Sequence, residues 1–175
     1  VVKPALLLKE YDHIQGTKTA PIILIEYGDY QCFYCRKLHP IIRDLRQQFD
    51  HQLCFVFRHF PLATIHPYTQ YAAEVAEAAA AQGRFWEIHD YLFEHPQTFG
   101  NSELLNYAAS LEIDCDRVEQ EVAEHRYAAR VREHLVSGIE SGVNGTPTLF
   151  INGDRYDKTY SFDAISTAIH AVLPA

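Results

Sequence analysis

Two cysteines three positions apart, Cys32 and Cys35, are the residues of this chain best suited to chemistry. Beyond them Leu38, Ile41, Leu45 and Phe49 recur at three- and four-residue spacing, which predicts an amphipathic helix beginning at the pair. A sulfur in the first turn of a helix meets unpaired N–H groups and the positive end of the macrodipole, and both favour the thiolate, the reactive form. Cys32 holds that place. Cys35 follows on nearly the same face, positioned to attack a mixed disulfide formed at Cys32 and release what it holds. Such a pair needs no added cofactor, because the Cys32–Cys35 disulfide is itself the redox group.

Glu26 stands in the apolar run Ile22-Ile23-Leu24-Ile25-Glu26-Tyr27, six residues before Cys32. A carboxylate in such a strand is costly without a partner or a task. Buried under the pair, it would have a raised pKa and exchange a proton with the Cys35 thiol. At a strand end it would simply reach solvent. Phe33 and Tyr34, between the sulfurs, offer no charge and would present an aromatic surface to apolar stretches of substrate. Arg36 and Lys37 would add positive potential beside the pair, or point outward into water.

A competing chemistry is metal binding, since Cys32, Cys35 and His39 form a C-x2-C-x3-H array able to supply three zinc ligands. A structural zinc needs four, and neither Cys54 nor Cys115 belongs to a second knuckle, so no metal is expected and His39 is read as a surface helix residue. Cys54, in an apolar run, reads as core. Cys115, between Asp114 and Asp116, sits among negative charges that raise a thiol pKa and is expected to be unreactive. The ten histidines, among them His59, His66, His89 and His95, form no H-x3-H array, and no metal centre follows from their spacing. His59 lies where the second strand should end, near the pair.

The elements that must position these groups are legible in outline. The run Ile22–Tyr27 reads as a strand covered on both faces, and Leu53–Phe57 as a second, close enough to pair with it across a strand–helix–strand crossover. Ala- and Glu-rich sequence from Tyr68 to Ala81 is helical by propensity, with Gly83 to stop it. Further helices are expected over Phe85–Glu94, Ser102–Leu111, Asp116–His125 and Tyr127–Ser141, separated by Pro96, Gly100, Asp114 and Gly142. Then Thr148–Ile151 reads as a strand, Asn152-Gly153 as a type I′ hairpin turn, and Phe162–Leu173 as a closing helix. The fold class is therefore α/β, βαβ then ββα. One domain over residues 1–175 carries a helical insertion at about 66–142 between its second and third core strands.

Composition agrees with a globular chain of 175 residues, 47% hydrophobic and 13% aromatic. Fifteen basic against twenty-three acidic residues give a net charge of -8, which argues against nucleic acid as a partner. No apolar run approaches the length of a membrane span, so membrane insertion of this chain is not expected. The start, Val1-Val2-Lys3-Pro4, carries neither an initiator Met nor a secretory apolar region, which is compatible with a leader, tag or upstream domain removed before it. Two unpaired cysteines and no leader lean toward the cytoplasm, with export as the alternative.

Taken together, Glu26, Asp29-Tyr30-Gln31-Cys32-Phe33-Tyr34-Cys35 and Gly145-Thr146-Pro147-Thr148 resemble the DsbA-like branch of the thioredoxin superfamily. Arg58-His59-Phe60-Pro61-Leu62 and Gln82-Gly83-Arg84-Phe85-Trp86 through His89-Asp90 are similar to further landmarks of the bacterial DsbA-like proteins, in the same order over nearly the whole chain. The resemblance implies a thioredoxin-like fold and a thiol–disulfide oxidoreductase with Cys32, Cys35 and Glu26 as catalytic residues. It also implies that Pro147 is cis, facing the sulfurs, and that the Thr146 backbone pairs with extended substrate.

The implied partners are protein or peptide thiols and disulfides, together with a redox protein that recycles the pair. Phe33-Tyr34 departs from relatives that have Pro first, and from the strongly oxidising prototype, which has His second. Losing that His removes a thiolate donor, so Cys32 is expected below the free value of about 8.5 but in a weaker oxidant. A non-catalytic peptide-binding module on the same fold is the alternative, and it has no need of an intact pair above Glu26.

Overall fold

The protein is described from a computed structural model over residues 6–99 and 102–174. Five strands form one sheet: β1 (His13–Gln15), β2 (Ile22–Gly28), β3 (Leu53–His59), β4 (Thr148–Ile151) and β5 (Asp154–Tyr156), in the order β1-β3-β2-β4-β5. β2 and β3 run parallel, and the other neighbours are antiparallel. The parallel step needs a crossover, supplied by α1 (Phe33–Phe49). Between β3 and β4 lie α2 (Thr69–Ala80), α3 (Phe85–Glu94), α4 (Glu103–Ser110), α5 (Cys115–Ala123) and α6 (Ala128–Glu140), and α7 (Phe162–Val172) closes the chain. This is the α/β arrangement with a helical insertion that the βαβ–ββα pattern predicts, and the thioredoxin-like fold that the resemblance implies.

Differences from expectation are local. The helix Phe85–Glu94 stands as expected, while most other helix ends contract by one or two residues, where fraying and capping decide rather than propensity. α5 instead starts a residue early, at Cys115, because the Asp114 carboxylate caps it by accepting from the Arg117 N–H at 3.0 Å. In α1 the buried stripe is Cys35, Leu38, Ile42, Leu45 and Phe49, with Ile42 rather than Ile41 at its centre. Strand β1 has no counterpart in the sequence reading: three residues, His-Ile-Gln, are too short to show alternation, and only their pairing with Phe57, Val56 and Phe55 makes them a strand. The break expected at Gly100 lies outside the described residues.

Alternation across the pleat decides which side chains meet the site. Ile22 and Leu24 of β2, with Leu53, Phe55 and Phe57 of β3, point to the face packed against Leu38 and Leu45 of α1 and Ile165 of α7. Ile25, Tyr27, Cys54 and Val56 point to the opposite face, with Phe60 and Phe150. By the same period Glu26 falls on the α1 face, under the start of that helix. At the β4–β5 hairpin Asn152 and Gly153 both take positive φ, 49° and 86°, as the turn signal requires. The Asn152 carboxamide also accepts from the Ile23 N–H at 2.7 Å, tying this hairpin to β2.

On the opposite face Arg58 is almost fully buried and held on every side. Its guanidinium makes a bidentate pair with Asp12 at 2.8 Å for both contacts, donates to the Tyr27 hydroxyl at 2.9 Å, and donates to the Leu7 carbonyl at 2.9 Å. This fork fastens the segment before β2 to the sheet. Asp12→Ala removes one partner and leaves the cation buried, so a loss of about 3–5 kcal/mol is expected. Urea unfolding of the variant against the parent measures it, and a loss under about 1 kcal/mol would show that the other contacts suffice.

Candidate active site

The turn between β2 and α1 is fixed by one carboxylate. Asp29 is buried, and its two oxygens accept four bonds: from the Gln31 N–H (2.8 Å), the Thr69 hydroxyl (2.6 Å), the Leu62 N–H (2.9 Å) and His66 Nδ1 (2.8 Å). Its backbone carbonyl accepts from the Cys32 N–H at 3.0 Å. The bond to Gln31 is an Asx-turn, the local geometry for which an Asp two residues back is suited. Asp29 therefore sets where the helix begins and joins that point to the loop after β3 and to α2. The sequence reading missed it, although an Asp in a turn beside a Cys pair is the available signal.

Cys32 occupies the N-cap of α1, with φ −71° and ψ 121°. Its sulfur is nearly covered and lies 3.4 Å from the Thr146 carbonyl. Hydrogen bonding from the Cys35 thiol lowers its pKa to about 5 against the opposing effect of burial, with help from Thr146 and from the Cys35 and Tyr34 N–H groups. That lies within the range of about 3.5 to 7.5 of activated thiols. Cys35 is fully buried, and burial, together with its bond to Cys32 and the nearby Glu26 carboxyl, pushes its thiol well above the ordinary value. One sulfur is thus held ionised and its neighbour protonated.

Glu26 lies beneath them, 2% exposed, so the solvent-reaching alternative is excluded. Burial, and then the charge on Cys32, raise its pKa to about 8. Among the described residues Oε1 has no hydrogen-bond partner, which leaves the carboxyl outside any structural network. Space for it is kept by Gly28: a Cβ there would stand 2.5 Å from the Phe57 ring and 3.0 Å from Glu26 Oε1.

Across from the sulfurs the Thr146–Pro147 peptide is cis, as the resemblance implies. The Thr146 hydroxyl is buried, and its side chain is among the groups that favour the Cys32 thiolate. Phe33 and Tyr34 are 51% and 68% exposed, an aromatic rim beside Cys32. Arg36 and Lys37 lie over the Phe33 ring at 5.3 and 4.9 Å, so their positive charge is spent on the rim rather than on the thiolate. Tyr68, also exposed, extends this surface, its N–H bonded to the Gln31 side chain at 2.6 Å.

Other residues fall elsewhere. His39 is not a surface residue: its side chain is 11% exposed and packs on Phe93 and His89. The reason is that α3 of the insertion covers that side of α1. Among the described residues no set of three metal-ligating atoms includes either sulfur of the pair. Cys54 is fully buried, and the Cys115 thiol is raised by burial and by Glu119, Asp114 and Asp116, as expected of both. His59 is buried against Glu77 rather than joined to the sulfurs.

A family model described as thioredoxin matches residues 8–171. Among curated proteins, the Na(+)/H(+) antiporter NhaA 1 of Salinispora arenicola is 43% identical over 158 residues, 90% of this chain and 24% of the antiporter. The chain thus spans about a quarter of the length of the curated relatives it matches. Among solved structures, oxidised BdbD of Bacillus subtilis aligns with TM-score 0.83 and 22% identity, covering 93% of this chain and 92% of that one. The alpha-DsbA1 protein of Wolbachia pipientis gives 0.82 and 19% over 96% and 94%. A periplasmic thioredoxin-like protein of Salmonella enterica serovar Typhimurium gives 0.75 and 18% over 97% and 94%.

The two shifted groups pull stability in opposite directions in the reduced protein. Glu26, raised from 4.5 to about 8, favours folding at low pH and loses that contribution as pH climbs from 4.5 through 8. Cys32, lowered from 9 to about 5, adds stability as pH climbs from 5 through 9. Between pH 5 and 8 the two slopes oppose each other. Cys32→Ser should therefore make stability fall with rising pH relative to the parent, and Glu26→Gln should make it rise, both read by urea unfolding at pH 5.5 and 7.5 under reducing conditions. Equal pH slopes in all three proteins would mean that neither group is shifted.

Proposed function

This chain belongs to the thioredoxin family, and on that premise we propose that it is a DsbA-like thiol–disulfide oxidoreductase acting on protein or peptide substrates. The observation that carries the reading is an ionised Cys32 above a protonated, buried Cys35 with the Glu26 carboxyl beneath both.

In the reductive direction the Cys32 thiolate attacks a substrate disulfide. One S–S bond forms at Cys32 and the other substrate sulfur leaves as thiolate. Cys35 then loses its proton to the Glu26 carboxylate, attacks the mixed disulfide and expels the second substrate sulfur. Two electrons have passed to the substrate, and Cys32–Cys35 is the disulfide. Read backwards, the same steps donate a disulfide and leave the pair reduced. No further cofactor enters either direction.

Each group has a distinct part. Phe33, Tyr34 and Tyr68 offer apolar contact to an extended chain, and the half-buried Thr146–Pro147 segment supplies backbone for it to pair with. The Cys32 thiolate tilts the couple toward the reduced form. At pH 7 a pKa of about 5 favours ionisation about a hundredfold, equivalent to roughly 60 mV toward a more oxidising pair. Disulfide donation is therefore the favoured direction, and a separate redox protein must reoxidise the pair.

An oxidising, exported compartment suits that direction. The lean toward the cytoplasm finds no support among the solved relatives, one of which is titled periplasmic. No helix among the described residues is long and apolar enough to cross a membrane. The proposal concerns only the segment shared with the antiporter relatives, about a quarter of their length.

A glutathione redox titration of Cys32–Cys35, with insulin reduction and oxidative refolding followed in parallel, tests the reading. The expected midpoint is more oxidising than about -270 mV, the thioredoxin value, with turnover abolished in Cys32→Ser and a trapped mixed disulfide in Cys35→Ser. Substrate binding with no turnover in the parent would instead favour a peptide-binding module. Glu26→Gln should slow attack by Cys35 on a mixed disulfide by about 100-fold or more if the carboxylate is the base. In the parent that rate should rise with pH as Glu26 ionises, with a midpoint below about 8, because the Cys32 charge that helps to raise Glu26 is absent once that sulfur is capped. Single-turnover kinetics with a glutathione-capped Cys32 measure both, and an unchanged rate and pH profile in Glu26→Gln would remove Glu26 from the mechanism.

A further inference from the structure

Three donor groups from three elements meet beside the sheet edge: His13 on β1, His59 at the end of β3 and Glu77 on α2. His13 Nε2 and His59 Nε2 lie 2.7 and 2.9 Å from the same oxygen, Glu77 Oε1. All three ligand atoms fall within 4.8 Å of one another. We propose that this trio binds a divalent transition-metal ion of the zinc type through His13 Nε2, His59 Nε2 and the Glu77 carboxylate, leaving one coordination position to solvent.

The donor set suits such an ion, since two imidazoles and a carboxylate with an open fourth position form a recurrent three-ligand zinc arrangement.

The site is reachable and stiff. A cleft of about 500 Å³ is lined by His13 and Glu77 together with Glu10, Tyr11, Trp86 and Arg130, while His59 is buried against Glu77. Arg130 is drawn over the Tyr11 ring, 4.4 Å from its centre. The His13 ring stacks on Phe85 with centroids 3.5 Å apart, and His59 stacks on His134 at 5.4 Å. Rings held this way are oriented before an ion arrives. On binding, an imidazole that donates through Nε2 to Glu77 passes that proton to Nδ1 and offers the freed lone pair to the ion. No electron moves.

A second trio, His39, His89 and Asp90, is also compact. There His89 Nδ1 is already bonded to the Tyr30 hydroxyl, and Arg43 and Arg46 line the small cavity and oppose a cation. The His13 site carries the inference alone.

The test titrates Zn²⁺ by calorimetry and Co²⁺ by visible absorption into the full chain with Cys32–Cys35 oxidised, so that the pair cannot bind metal. One ion per chain is expected, with no thiolate-to-cobalt charge-transfer band. His13→Gln, checked for folding by circular dichroism, should weaken binding by more than about 100-fold, the upper range for losing even an outer-sphere partner. Glu77→Gln should do the same. If either variant fails to fold, hyperfine-shifted imidazole signals from two histidines in the Co²⁺ form of the parent decide the matter. Absence of binding at millimolar metal, binding unchanged in His13→Gln, a thiolate band, or signals from one histidine or none would each overturn the site.

Discussion

A single negative charge, kept on Cys32 and off the two groups beneath it, orders the rest of the site. Three acids stand close together in a dry space: one thiol at the helix mouth, one thiol behind it, one carboxyl under both. Desolvation penalises every anion there, so only the group with fixed dipoles around it can afford to ionise. Cys32 has them, in the Cys35 thiol, Thr146 and the first N–H groups of α1. Once it carries the charge, it raises Glu26 and Cys35 in turn, and both stay protonated in reserve. The pKa values are thus properties of the cluster, and a change in one shifts the others.

The scaffold serves this division. Period-two alternation along β2 sends Glu26 to the face that α1 covers, and the absence of a side chain at Gly28 leaves room for its carboxyl beside Phe57. The crossover from β2 into α1 places a helix start at the end of a central strand, where the sheet floor is apolar and water is excluded. Away from the sulfurs Arg58 and Asp12 are satisfied in a tight pair. Glu26 Oε1 keeps free bonding capacity at the sulfurs, as do His39 Nε2 and His134 Nε2 elsewhere.

Much of this was legible in the residues. The C-x-x-C spacing, the stripe of α1 and the lone Glu in an apolar strand marked the sulfurs and the carboxyl buried beneath them, because local period and polarity encode them. The Ala-rich stretch and the Gly and Pro breaks gave the insertion. What stayed hidden depends on groups distant in sequence. β1 exists only because Phe55 and Phe57 pair with it, and His39 is covered only because α3 folds back on α1. Asp29 joins residues up to 40 positions away, and His13 meets Glu77 across 64. Histidines that look scattered along the chain become neighbours once a sheet edge and a helix meet, and no short motif announces that.

The turn that presents the sulfurs is held by Asp29 and its four donors, none of which lies between Cys32 and Cys35. The two residues that do lie there show the solvent most of their side-chain surface. Scaffold and rim are therefore separable: a change in the intervening dipeptide remodels the aromatic surface beside Cys32 without loosening the turn that the anchoring carboxylate holds in place.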